Sequence, residues 1–444
     1  MGATLPASPA DSRRTFVLLG RIPIFDRHLE VIGYELACAT TFDDADSTES
    51  TRNAGAVESL STSRMETLLS ETEGVDCLVG SKRAWLTISH HGSDDEPPLS
   101  LTPSRCVLRV LREGERSGAR ESPSASKSSG ERSDRSADEQ DIRSLGESLR
   151  KRGYPLAVSA WSEEARSLDD LASFTLVDPD LQNDKLGECL DLINDPRRGA
   201  VMAGVRSLQQ VLEWSRAGAT LFQGHVLSKP TGEPADALSP GRLACVELIS
   251  RLRDPDTTPK DLARILSGDV SLSYRVLHVS SLGASSGLRR PVRSIEEAVV
   301  LLGRDRLSSW VTFMTLADMS PHANEQVTIA LVRARMCELL ATSVEPSLAD
   351  EAFTVGLISG IALIVGGQPS QLVAKMSVTD DIADAVLEQR GMLGSILVDV
   401  CGWEVATKLP ALRSGIGHTQ VGSHYLAALE WASQIARTVE SAAA

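Results

Sequence analysis

The chain has 444 residues, 42% of them hydrophobic, with a formal net charge of −15 and a pI near 5.1. That length exceeds one ordinary core and predicts two domains. The acidic balance argues against a nonspecific grip on nucleic acid or an anionic membrane, which needs a basic face to release counterions. Cys38, Cys77, Cys106, Cys189, Cys245, Cys337 and Cys401 are scattered, odd in number and never spaced Cys-x-x-Cys. Neither a disulfide framework nor a zinc site is predicted, and a reducing cytoplasm is the expected compartment.

Residues 1–14 are expected to be a flexible N-terminus. "MGATLPASPADSRRTFVLLG" has only a brief apolar run, and Pro6 stands where a myristoylation signal wants Ser or Thr, so no targeting segment is expected. From Thr15 to about Gly224, eight short apolar runs alternate with more polar stretches: "FVLLGRIPIF", "EVIGYELACA", "AWLTIS", "CVLRVL", "PLAVSA", "FTLVD", "AVMAGV" and "ATLFQG". That rhythm predicts a parallel α/β sheet or barrel. The first two runs are separated by "DRHL", too short for a crossover helix, so they should pair as an antiparallel hairpin. Residues 113–141 are rich in Ser, Gly, Arg and acids with almost nothing apolar, and read as a disordered insertion. In "GYPLAVSAW", Leu156, Val158 and Trp161 give a buried strand its apolar content. Ser159 and Ala160 fall where it leaves the sheet, the place an α/β barrel usually gives to catalytic acids.

"SKPTGEPADALSPGR" marks a boundary, giving a barrel over 15–232 and a second domain over 240–444. Beyond it the grammar is helical. Thr258 caps with Pro259 at the first helical position, Asp261 at the positive end and Gly268 to close; Ser294 and Glu297 have capping-box spacing, with Gly303 as the stop. Further helices follow in "EQVTIALVRARMCELLAT", "DEAFTVGLISGIALIV" and "DDIADAVLEQR". The apolar stretch 353–367 is too short and too broken by glycine to span a bilayer and predicts a buried helix. No membrane insertion is expected.

At this point "RIPIFDRHLEVIGYELA" resembles the opening of an EAL domain, the cyclic di-GMP phosphodiesterase fold, and "AGATLFQGHVLSKP" resembles its closing strand. "LARILSGDVSLSYRVLHVSSLG", "SIEEAVVLLGRDRLSSWVTFMTLADM" and "LVRARMCELLA" are similar to an HDOD domain. The resemblance, to EAL-HDOD signalling proteins, implies α/β plus all-α: a TIM-like (β/α) barrel with an antiparallel first strand, then a helical HDOD bundle. It also implies a test, because active EAL domains hold two divalent metals on Glu, Asn and Asp oxygens.

Glu35 in "GYELA" matches the signature glutamate, with Ala39 where an arginine is expected. The remaining ligand positions fall on Thr87, Arg109, the pair Ser159 and Ala160, Ala203 and Arg206, while Leu176 replaces a lysine. Of that site Glu35, Asp178 and Gln223 are kept. Two isolated carboxylates cannot make a two-metal centre, and Arg109 repels an approaching cation. A register slip that substitutes Glu113 does not restore the aspartate pair. The plain structural expectation is that Glu35 and Asp178 pair with Arg109 or Arg206 and that Gln223 holds a loop. An alternative makes Arg109 and Arg206 a phosphate clamp.

The HDOD resemblance implies a noncatalytic relative of a phosphohydrolase bundle whose active members carry a His-Asp pair. No His-Asp dipeptide occurs, and His278, His322, His418 and His424 lie far apart. Ser280 and Ser281 fall where the family often has Asn-Ser, and Trp310 suits either core or interface. The spacing Gly-x-Ser-x-Gly occurs at 283–287 but with no strand run before it, so no nucleophile elbow is expected there, and no activated-cysteine context is present. The reading is a noncatalytic bacterial signal-transduction protein, cytoplasmic, without metal or other cofactor, whose partners are other signalling proteins. The alternative is a metal-free cyclic di-GMP-binding effector, and an active phosphodiesterase is third.

Overall fold

Strands form where the apolar runs alternate, and here eight of them close on themselves. In the computed structural model of the chain, the described residues are 14–42, 75–90, 102–112, 132–160, 162–178, 186–229, 249, 251, 257–267, 294–304, 307–308, 311–312, 316, 324–366, 369–375, 378–406 and 408–443. They divide into two compact units. One runs to Leu227 and takes in Gly402–Leu412 and Gly417–Leu426; the other begins at Ser228.

In the first unit β1 (Arg14–Asp26), β2 (Val31–Phe42), β3 (Arg83–His90), β4 (Cys106–Arg112), β5 (Leu156–Ser159), β6 (Phe174–Val177), β7 (Gly199–Met202) and β8 (Leu221–Gln223) make a closed barrel in chain order. β1 is antiparallel to both β2 and β8, and the other neighbours are parallel. The hairpin forms as read from "DRHL". The Asp26 carboxylate accepts the N–H groups of His28 at 2.8 Å and Glu30 at 3.0 Å, which fixes the turn while Leu29 takes a left-handed φ of 65°. Around the barrel run helices α1 (Val75–Val79), α2 (Arg132–Lys151), α3 (Glu163–Leu168), α4 (Leu186–Ile193) and α5 (Leu208–Arg216). Ser162 and Ser207 cap α3 and α5 by accepting N–H bonds at 3.1 and 3.3 Å.

Helix α2 corrects the reading of 113–141 as disordered, because its first turns occupy 132–141; residues 113–131 lie outside the described set, as do 1–13. Composition misjudged it for a physical reason. Ile142 and Leu149 are buried, and once that apolar stripe nucleates the helix, extension backwards through residues without Pro or Gly costs little.

Inside the barrel, Ile24, Trp85, Val107, Ala157, Leu176 and Val201 form an apolar floor, with Phe174, Ala203 and Leu221 packed against it. The Trp85 and Phe174 rings lie 4.8 Å apart, and burying each large side chain contributes about 2 kcal/mol.

After Ser228 the described elements are helical: α6 (Pro259–Ser267), α7 (Ile295–Leu302), α8 (Asn324–Val344), α9 (Ala349–Val365), α10 (Pro369–Lys375), α11 (Asp380–Glu388), α12 (Gly391–Glu404) and α13 (His418–Ala443), with short 3-10 turns besides. The caps fall where the sequence puts them. Thr258 Oγ1 accepts from Asp261 N–H at 3.2 Å, Ser294 Oγ accepts from Glu297 N–H at 3.1 Å, and Gly303 ends α7 at φ 76°. Gly268 lies outside the described residues.

Helix α9 is the stretch predicted to be buried. Pro346–Val365 has the length and hydropathy of a membrane span, yet 67% of that window is buried inside the protein. Its glycines permit close packing. A Cβ on Gly360 would sit 2.5 Å from the Ala330 Cβ, and one on Gly356 would sit 2.8 Å from the Ala334 Cα, so α8 and α9 approach through small residues. Gly360→Leu should therefore destabilise the protein by about 3 kcal/mol in urea denaturation. Gly187→Ala, on a helix with open space at that point, should instead stabilise it by about 0.5 kcal/mol.

Candidate functional site

Successive strand side chains alternate faces, so a residue two beyond a floor residue points into the same barrel, one layer up. Two beyond Trp85, Val107, Ala157, Leu176, Val201 and Leu221 stand Thr87, Arg109, Ser159, Asp178, Ala203 and Gln223. Glu35 joins this layer from β2. It is paired in register with Trp85 and with Ile22, while Gln223 is paired with Ile24 and Thr87 with Arg109. Gly224 lets Gln223 reach the layer, because a Cβ at 224 would lie 2.1 Å from the Val205 carbonyl oxygen, at a φ of +156°.

Three of these side chains converge on the Glu35 carboxylate. Arg109 Nη2 lies 3.1 Å from Glu35 Oε1, and Thr87 Oγ1 donates to the same oxygen at 3.3 Å. Gln223 Nε2 donates to Glu35 Oε2. The Arg109 and Glu35 side chains are only 10% and 13% exposed, so this pair sits largely out of water above an apolar floor, where a lone charge of either sign is costly. Thr87 and Gln223 are buried as well.

The other predicted positions sit differently. Ser159 and Ala160 are half-buried, and the Ala160 N–H donates to Leu176 O at 2.7 Å, continuing the sheet edge. Ala203 packs on the floor. Asp178 is half-buried beside Gly204, where a Cβ would lie 3.4 Å from Asp178 Oδ2. Arg206 is exposed, with its backbone N–H on Gln210 Oε1 at 2.7 Å. Arg109 and Arg206 therefore differ in setting, the first inside the mouth and the second outside. Gln223 does more than hold a loop. Its carbonyl accepts the Val205 N–H at 3.1 Å while its amide serves Glu35, a partnership across 188 residues that carries no local sequence signal. The donor role of Thr87 was equally hidden. Glu113 lies outside the described residues.

A pair of divalent metals does not fit these residues. Glu35 already has both oxygens satisfied, a guanidinium occupies its flank, and the described residues hold no cluster of three His, Cys, Asp or Glu suited to an ion. Towards the end of the chain, His418 Nε2 lies 2.8 Å from Pro410 O, and burial holds the half-buried His424 below the usual imidazole range. His278, Ser280, Ser281, Trp310 and His322, like Trp161 of the barrel, lie outside the described residues.

Two outcomes test this geometry. Arg109→Met, which leaves the Glu35 carboxylate without its cation, should cost about 3–5 kcal/mol by urea denaturation. Glu35→Leu/Arg109→Met should cost clearly less than that single change. Separately, burial pushes the Cys106 thiol up to about 11 against the opposing pull of Arg105 and Arg83. Its Sγ sits 3.1 Å from Thr102 O, so Cys106 should resist iodoacetamide at about pH 8 until the protein is unfolded, as peptide mapping would read.

The HDOD domain family model matches residues 243–384. The chain is similar to the protein YuxH of Bacillus subtilis, 23% identical over 94% of this chain and 98% of that one. It is also similar to the cyclic di-GMP phosphodiesterase CdgJ of Vibrio cholerae, 25% identical over 56% of this chain and 59% of the relative's length. Among solved structures, a standalone EAL protein from Vibrio cholerae in its c-di-GMP bound form aligns at 14% identity and a TM-score of 0.32, over 48% of this chain and 90% of that one. The HDOD family model thus falls in the helical part of the chain, after the closed barrel with its antiparallel first strand.

Proposed function

We propose that the protein is a noncatalytic signal-transduction component, cytoplasmic and bacterial, that acts through contacts with other signalling proteins. Its barrel spans about 15–232 and its HDOD part about 240–444. The observation that carries this reading is the carboxylate of Glu35, closed by Arg109, Thr87 and Gln223. Hydrolysis of a phosphodiester on two metals needs several oxygen ligands free to bind them and an activated water. Here the positions that the EAL resemblance assigns to ligands hold a guanidinium, a hydroxyl and methyl groups, at Arg109, Ser159, Ala160 and Ala203.

The relative named as a phosphodiesterase makes hydrolysis the reading to defeat. Purified protein is incubated with cyclic di-GMP and magnesium or manganese, products are separated, and thermal unfolding is followed in the same samples. The expected outcome is no product and no nucleotide-dependent rise in the melting midpoint. Metal-dependent product would sink the proposal outright. A rise without product would replace it with the nucleotide-binding effector reading, with Arg109 turned from Glu35 toward the ligand.

A further inference from the structure

We propose that the barrel mouth is an anion cradle, opposite in polarity to a metal centre, in which Arg109, Gln223 and Thr87 are the donors and the Glu35 carboxylate is a built-in occupant. A small planar carboxylate binds there once that occupant is withdrawn. The inference rests on the reading that no pair of dications uses this mouth.

A metal centre surrounds a cation with oxygens. In this mouth the centre is an oxyanion and the surrounding groups are N–H and O–H donors from three strands, β4, β8 and β3. Both carboxylate oxygens are met, Oε1 by Arg109 and Thr87 and Oε2 by Gln223. The Gln223 amide presents nitrogen rather than oxygen, the only orientation that gives an ionised carboxylate a proton to accept. The backbones that carry the donors are held independently of Glu35. Thr87 and Arg109 are paired in register across β3 and β4, and Gln223 is fixed to β1 and to Val205, above the apolar floor. Truncating Glu35 therefore leaves a preorganised set of donors around a poorly hydrated guanidinium, and guanidinium geometry suits a planar oxyanion.

The test is chemical rescue of the full chain. Glu35→Ala should melt below the wild type. Sodium formate should raise its midpoint by about 3 °C or more over sodium chloride at equal ionic strength. Wild type and Glu35→Gln, whose mouths are filled, should show no such difference, and neither should Glu35→Ala/Arg109→Met. If Glu35→Ala does not accumulate as soluble protein, refolding yield from urea in formate against chloride gives the same comparison. The cradle is overturned if formate acts on Glu35→Ala no more than chloride does, or acts equally once Arg109 is replaced. A response to inorganic phosphate but not formate overturns the carboxylate class. Manganese raising the wild-type midpoint would instead remove the underlying reading, whatever formate does.

Discussion

A carboxylate held 87% out of water must be neutralised, and how Glu35 meets that demand organises the mouth of the barrel. The Arg109 guanidinium supplies the charge, Thr87 and Gln223 supply the remaining hydrogen bonds, and together they tie β2 to β4 and β8, neither of which is its neighbour in the sheet. The ties cross the interior, over β3 in one direction and β1 in the other. Stability alone does not explain an ion pair there, since apolar residues of similar volume would serve as well. What the pair adds is specification, because each partner is tolerable only where the other is.

The two units solve burial differently. The barrel separates its interior into a dry floor and, one inward-facing step further along several strands, a polar layer. The helical unit has no such layer in its central pair. Helices α8 and α9 are buried around most of their circumference and meet through Ala330, Ala334, Gly356 and Gly360, which allows backbones rather than long side chains to make the contact. A polar exception, Arg333, is buried and donates to Ser359 Oγ at 2.8 Å across that same interface.

Much of this was legible in the residues, for reasons that also mark where legibility ends. All eight strands follow apolar runs, and the hairpin follows from a connection too short to cross over. Thr258, Ser294 and Gly303 declare their helices because capping is a local matter of one side chain and one N–H. Residues 132–141 were misread because composition reports the absence of a core-forming stripe, and their helix borrows its stripe from Ile142 and Leu149 downstream. The Glu35 partner set was half legible. Charge suggested Arg109, but a glutamine 188 residues away and a threonine hydroxyl carry no sign of their target until the sheet closes. The glycines of α9 read as interruptions of an apolar run, and only the packing shows that they are the contact surface.

The electrostatics of the mouth reach further than any one replacement. Glu35 and Asp178 against Arg109 leave the layer with a single net negative charge among its titratable side chains, whereas two dications and a phosphodiester need several carboxylates converging on the same few ångströms. Reversing Arg109 alone would not supply them. It would set a second carboxylate against Glu35 with no cation between, raising the cost of both, while Ser159, Ala160 and Ala203 still offered no charge. Within that layer the one guanidinium is already engaged by Glu35, so the charge left over is a lone half-buried Asp178.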